Sequence, residues 1–376
     1  MIKVILLIVM VSFQLLVGEI RVDNIKEFEI SHGQGFVVKP RFNSDGTMLS
    51  FLAIGTNNTG KTIFYLDIEA GTSSPVRKRL KSSKVLNAEL PVWSKFNSDI
   101  AYFVSKKYGR TIFYRINVPD FLSSASSNYL ENLSPLLGGD ELDIWSYDTI
   151  DYGDSDQILI SCRKKDEKSS SFISFLNGEI ESVITENLKN PFKRITTFSD
   201  YNFTIYLQNG EANVDNIFYI EDIDDFSTKS IYLPGSDSVF VIEAGLPSNN
   251  EIEYISILSK KNNNDRLSSL YLVDSHFKTS PQLLADSIYV MDDSEYLLDA
   301  NHVWVPDSNI ILYIKEINAQ NYSLFSYSID LMKESPVSIP SYTGSVRHLA
   351  LSSEGDRIVL CSKVGTNIIV GDLTFR

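Results

Sequence analysis

Between Lys39 and Gly71 the chain alternates short apolar runs with polar turns in a fixed order. Phe42 precedes the turn Asn43-Ser44-Asp45-Gly46, and the run Met48 to Ile54 follows. A polar loop then spans Gly55 to Lys61, and a further run covers Thr62 to Ile68. Asp45 and Gly46 suit a tight turn. Asp bonds its own backbone two residues on, and Gly takes a positive φ without a Cβ clash. Short runs rich in β-branched and aromatic residues, bounded by Gly, Asn, Asp and Ser, predict β-strands.

The same order returns along the chain. LPVWSKFNSDIAYFVS from Leu90 leads to RTIFYRINV, so that Thr62-Ile63-Phe64-Tyr65 is repeated as Thr111-Ile112-Phe113-Tyr114. Later copies pair LDIWSYDTIDYGDSDQILISC with SSFISFLNG, ITTFSDYNFTIYLQ with DNIFYIEDI, and VFVIEAGLPSNNEIEYISILS with LSSLYLVDS. The last two pair NHVWVPDSNIILYIK with YSLFSYSIDL, and HLALSSEGDRIVLCSK with NIIVGDL. One such unit cannot cover its own apolar faces, whereas stacked units can. A repeat of roughly 45 to 60 residues matches four-stranded propeller blades. We therefore expect an all-β fold, a β-propeller of seven four-stranded blades, with six as the alternative. No stretch shows sustained helical periodicity. The aromatics Phe42, Trp93, Trp145, Phe198 and Trp304 recur near the end of the first strand and are expected as buried wedges between blades.

The last unit stops after its third strand, Asn367 to Leu373. The strand-like stretch Ile20 to Ile30 stands ahead of the first full unit. It is expected to supply the missing outer strand and close the ring, which leaves no open seam.

The pattern of an apolar residue, an aromatic, Ser-x-Asp-Gly, a strand, and then Ile63-Phe64-Tyr65-Leu66-Asp67-Ile68-Glu69-Ala70-Gly71 resembles the repeats of TolB-type β-propellers. Residues Pro40 to Gly71 match best. Pro91 to Val118, His302 to Asp330 and Leu349 to Asp372 match more loosely. The resemblance implies a propeller and says little about function. It departs from TolB in blade number and in the domain ahead of the propeller, so a role in the Tol–Pal system does not carry over. Propellers of this kind also occur in prolyl oligopeptidases, but G-x-S-x-G is absent here, and with it the peptidase nucleophile.

The first residues, MIKVILLIVMVSFQLLVG, join Lys3 to an apolar run from Val4 to Val17. A run of about 14 residues suits a signal peptide and falls short of the roughly 20 needed to span a membrane. We expect a signal peptide over 1–18 and a single propeller over 19–376, secreted or lumenal, or periplasmic in a bacterium. A retained anchor is the alternative. After cleavage no membrane span remains. Cys162 and Cys361 fall in separate predicted strands and are expected as buried free thiols. The net charge of −14 argues against a nucleic-acid partner and for a soluble monomer.

Little in the sequence points to catalysis, a cofactor or a metal. His32, His276, His302 and His348 are scattered. Asp151, Asp154 and Asp156 read as an acidic hairpin turn and lack the glycine and distal Glu of a calcium loop. The run Arg77 to Lys81 reads as protection of an outer edge strand. Among the sequons, Asn57 and Asn321 lie in predicted loops and are the best glycosylation candidates. In a propeller, loops joining second and third strands share one face. Here they carry Lys106, Lys107, Arg110, Arg163, Lys164, Lys165, Lys260 and Lys261 among other bases, and fewer acids, Asp166, Glu167, Glu211, Asp215, Asp265 and Glu316. The other face receives Asp45, Asp99, Asp148, Asp151, Asp154, Asp156, Asp200 and Asp356. The acidic run Asp292, Asp293, Glu295 and Asp299 falls on the basic face and blunts the contrast. We expect a charge-polarised disc whose basic face docks an anionic protein partner, the chain acting as a non-catalytic interaction scaffold. An enzyme cleaving glycans or lactones at the channel mouth is the alternative, and a membrane-tethered receptor domain is a second one.

Overall fold

The computed structural model describes residues 19–30, 34–55, 61–75, 87–107, 110–123, 129–139, 142–151, 153–164, 167–188, 192–198, 203–209, 215–220, 240–245, 254–260, 267–274, 280–289, 302–319, 321–362 and 366–375. The chain is a β-propeller of antiparallel sheets whose strands follow one another from the inside outward. Sheet 1 holds Gln34–Phe42, Met48–Gly55, Lys61–Asp67 and Thr72–Pro75. Sheet 2 holds Asn87–Trp93, Ile100–Lys107, Arg110–Asn117 and Leu130–Asn132, with the short helix Val118–Ser123 before its outer strand. Sheet 3 holds Leu142–Asp151, Asp156–Lys164, Ser170–Leu176 and Glu179–Leu188. In sheet 4 the described strands are Phe192–Phe198, Phe203–Asn209 and Asp215–Ile220.

Sheet 5 is an eight-stranded assembly of two halves. Its first half is Phe240–Gly245, Tyr254–Lys260, Leu267–Asp274 and Gln282–Tyr289. Its second half is His302–Trp304, Ile310–Asn318, Asn321–Ser328 and Lys333–Pro336. One residue pair, Ile288 with Lys315, joins the halves. The closing sheet runs Val346–Leu351, Arg357–Ser362 and Asn367–Phe375, and its outermost strand is Ile20–Glu29 from the other end of the chain. Each group of strands packs on the next in chain order, and the closing sheet packs back on sheet 1.

This arrangement explains why the strands are apolar on both faces. In Met48–Gly55, Leu49, Phe51 and Ala53 pack toward the closing sheet, while Met48, Leu52 and Ile54 pack toward sheet 2. A sheet wedged between two neighbours has no solvent side, so its central strands read as continuous apolar runs. Aromatic rings fill the wedges. Tyr65 meets Trp93 and Phe121 edge to face at 5.5 and 6.0 Å.

Ring closure follows the sequence expectation. Ile20–Glu29 pairs antiparallel with Asn367–Phe375, from Ile20 opposite Phe375 to Glu29 opposite Asn367. Val22 is fully buried in the core shared with the second half of sheet 5. Side chains lock the register: Asn24 Nδ2 donates to Asp372 Oδ2 at 2.7 Å, and Thr374 Oγ1 to Asp23 Oδ2 at 3.0 Å. The strand also reaches back to sheet 5, where the Val22 amide donates to the Ser338 carbonyl at 2.9 Å.

One wedge expectation is corrected. Trp93 and Trp304 are buried, but Trp145 is 39% exposed. The wedge is the inner-strand residue opposite the start of the second strand, as in the pairs Phe42–Leu49, Trp93–Ala101 and Trp304–Ile311. In sheet 3 that residue is Ile150, opposite Gln157. Trp145 lies near the start of a longer inner strand, in a bulge between Ile144 and Ser146. The leader 1–18, the basic run 77–81, Asn57, His32 and His276 lie outside the described residues. The outermost strand of sheet 1 is Thr72–Pro75, so the basic run follows it. No helix among the described residues is long and apolar enough to cross a membrane.

Closure leaves no room at Gly371. A Cβ there would stand 2.5 Å from Val22 Cγ1 and 3.0 Å from the Asp23 carbonyl. Gly371→Ala is expected to lower stability in urea melts by about 2 kcal/mol, as overpacking does. Combined with Val22→Ala, its cost should be less than the sum of the two single changes, because the Cγ1 contact is gone.

Candidate functional site

The two ends of the sheets are built differently. At one end lie the turns between first and second strands, and these interlock from sheet to sheet. Asn43 Nδ2 donates to the Ser98 carbonyl at 3.0 Å, tying the turn of sheet 1 to that of sheet 2. Asp156, at the start of the second strand of sheet 3, takes hold of the same sheet 2 turn. Its Oδ1 accepts from the amides of Lys95 and Phe96 at 3.1 and 3.2 Å, and its Oδ2 from the Tyr102 hydroxyl at 2.9 Å. Arg357 Nη1 donates to the Gly46 carbonyl at 3.1 Å, and Ser353 Oγ to the Ser44 carbonyl at 2.6 Å, tying the closing sheet to sheet 1.

Several carboxylates assigned to this face are therefore occupied. Asp45 accepts from the amide and hydroxyl of Thr47 at 3.0 and 2.6 Å. Burial alone would raise its pKa, but these hydrogen bonds outweigh it and hold the group below its ordinary value. Asp148 faces Lys95 Nζ at 3.6 Å, and Asp356 accepts from Ser352 Oγ at 2.7 Å. Burial, and then the Asp156 carboxylate, push the Tyr102 phenol far above its usual range, so it stays a donor.

At the other end lie the hairpins between second and third strands. Lys107 pairs with Arg110 and Lys106 with Thr111 at the tip of sheet 2. Arg163 and Lys164 end the second strand of sheet 3, opposite Asp143 and Leu142. Lys164 is exposed and 3.5 Å from Glu167. Lys260 ends the second strand of sheet 5, opposite Phe240. Lys165, Lys261 and the acidic run 292–299 lie outside the described residues. Asn321 opens a third strand at this same end and is exposed, with its Nδ2 on Asn318 Oδ1 at 2.7 Å. Lys315 is turned aside to Glu334, at 2.9 and 2.8 Å.

Inner strands begin at this end too, and they carry a feature the sequence reading missed. Register shifts fall after Val38 in sheet 1, Glu89 in sheet 2, Ile144 in sheet 3, Phe192 in sheet 4, Val241 in sheet 5 and Val346 in the closing sheet. Bulges of this kind bend a strand and re-aim the side chain they carry. At the sheet 3 bulge the Arg163 guanidinium lies 5.7 Å from the centroid of the exposed Trp145 ring. In sequence the only sign was a Trp five residues too early for the wedge.

Among the described residues no three His, Cys, Asp or Glu gather as metal ligands would. A serine and a histidine do meet: Ser256 Oγ and His302 Nε2 are 2.9 Å apart, and Trp304 Nε1 donates to the same Oγ at 2.8 Å. Both residues are buried, at 0% and 6% exposure, and they join the two halves of sheet 5. The pair is a core relay, out of reach of a substrate. Cys162 and Cys361 are buried thiols outside any disulfide, and burial pushes the Cys162 thiol up to about 12.

No family model matches the chain. No curated protein matches it either. Solved structures do. The Pan2 WD40 domain of Neurospora crassa is 12% identical, with a TM-score of 0.55 over 95% of this chain and 96% of that one. An oligogalacturonate lyase in complex with manganese is 13% identical, with a TM-score of 0.53 over 95% and 98%. A prolyl endopeptidase is 13% identical, with a TM-score of 0.51 over 89% of this chain, which spans 48% of that one. At such identities the likeness is one of fold, and the fold is shared by WD40 domains and lyases.

The clasp at Asp156 can be tested alone. Asp156→Ala is expected to cost about 3 kcal/mol in urea melts, because it strands two amides and a phenol. Tyr102→Phe removes one of the three bonds and should cost about 1 kcal/mol.

Proposed function

We propose that this chain is a non-catalytic interaction scaffold whose hairpin face docks an anionic protein partner. The observation that carries this reading is the unequal treatment of charge at the two ends of the sheets. Carboxylates at the turn end are drawn into hydrogen bonds, Asp45 and Asp356 within their own turns and Asp156 across to sheet 2. Basic residues Lys106, Lys107, Arg110, Arg163, Lys164 and Lys260 stand at strand ends on the opposite face. A face lined by one sign of charge steers a partner of the other sign.

The propeller in this reading has seven blades, the two halves of sheet 5 counting separately, and its repeats are of the TolB type. The leader 1–18 is removed, residues 19–376 act as one secreted or lumenal monomer, and Asn57 and Asn321 accept glycans where the compartment adds them. An enzyme at the channel mouth is the competing reading. It requires carboxylates or histidines converging on the channel, and charge on the hairpins would be irrelevant to it.

The partner is to be captured by crosslinking to the mature protein and its association measured against salt. Reversal of Lys106, Lys107, Lys164, Lys165, Lys260 and Lys261 to Glu is expected to slow association by about tenfold or more and to flatten the salt dependence. Unchanged association and salt dependence would contradict the reading.

A further inference from the structure

The inner strands of sheet 1 and the closing sheet, Gln34–Phe42 and Val346–Leu351, pack on each other where the ring is sealed. Between them they carry Lys39, Arg41, Arg347 and His348, and not one Asp or Glu. The second strands behind them, Met48–Gly55 and Arg357–Ser362, add Arg357 and no acid. In a chain with 48 acidic and 34 basic residues this is a local reversal of sign.

Arg347 is the centre of it. It is the extra residue in the closing-sheet bulge, between Val346 opposite Ser362 and His348 opposite Cys361. Its guanidinium lies 5.9 Å from the centroid of the Phe36 ring, across the seam. Its Nε is buried and meets no acceptor. The other arginines with described side chains are engaged. Arg21 Nε also makes no hydrogen bond but faces Asp23 at 3.6 Å, and Arg115 faces Glu131 at 3.5 Å. Arg41, Arg163 and Arg357 donate to Pro40, Ser170 and Gly46. A half-buried guanidinium whose Nε meets no acceptor among the described residues is costly to desolvate. Here the guanidinium lies over the Phe36 ring, and its Nη nitrogens are a planar pair of donors of the kind that binds oxyanions.

We propose that this seam is a binding site for an oxyanion, a carboxylate or phosphate group, held by Arg347 beside the Phe36 ring. The site is separate from the hairpin face of the previous section. None of the hairpin lysines takes part, so either reading can fail without the other.

The test uses the full mature chain and two probes, inorganic phosphate and acetate, each titrated calorimetrically at ionic strength held constant with sodium chloride. Saturable binding of at least one is expected, and the one that binds identifies the source of the oxyanion. Arg347→Gln should weaken that binding by about tenfold or more, the loss of one charge-assisted contact. The Lys106→Glu/Lys107→Glu double variant should bind as the unaltered protein does. Crystals of the unaltered protein soaked in tungstate should show an anomalous peak within hydrogen-bonding distance of the Arg347 Nη atoms, a result that does not depend on any variant folding. Failure of both probes to bind saturably, equal binding by a folded Arg347→Gln, or no peak at Arg347 would each overturn the proposal.

Discussion

A sheet of four short strands with apolar side chains on both faces is stable only if both faces are covered. That constraint governs this molecule. Leu49, Phe51 and Ala53 need the closing sheet on one side as much as Met48, Leu52 and Ile54 need sheet 2 on the other. In an open row of sheets the first and the last would each leave one face to water. A ring leaves none, but the ends of the row must be joined. The joint is the pairing of Ile20–Glu29 with Asn367–Phe375, which puts the two ends of the described chain into one sheet.

The joint is reinforced where the sheets meet solvent. From the closing sheet through sheets 1 to 3 the turns are tied together: Asn43 reaches Ser98, Asp156 reaches Lys95 and Phe96, and Arg357 reaches Gly46. These contacts use polar atoms that would otherwise be turn decoration. The opposite end has a different task. Its hairpins hold basic residues at their tips, and the inner strands of sheet 3 and the closing sheet carry Trp145 and Arg347 in bulges near their starts. The turn end is thus committed to cohesion, and the hairpin end carries the basic strand tips.

Much of this was legible in the sequence, because each repeat writes its turn and its apolar runs in the same order. Asn43 to Gly46 marked the turn, and Thr62 to Tyr65 with its copy at Thr111 marked the third strand. The short final unit and the strand-like Ile20 to Ile30 together implied the seam. What the sequence hid was geometry that depends on register. Trp145 looked like a wedge because it is aromatic and lies in a first strand, yet a longer strand and a bulge move it out of the core. Asp156 looked like surface charge because its partners, Lys95, Phe96 and Tyr102, lie some 50 to 60 positions away. Arg347 carried no signal at all, since the unmet Nε and the contact with Phe36 are properties of the assembled seam.

The seam itself is best tested by native-state hydrogen exchange of the mature protein, followed by mass spectrometry of peptides from both ends of the chain. If closure is as described, amides of 20–29 exchange slowly, at the same rate and with the same denaturant dependence as those of 367–375, because the two strands open together. Rapid exchange over 20–29 with continued protection of 367–375 would contradict the account.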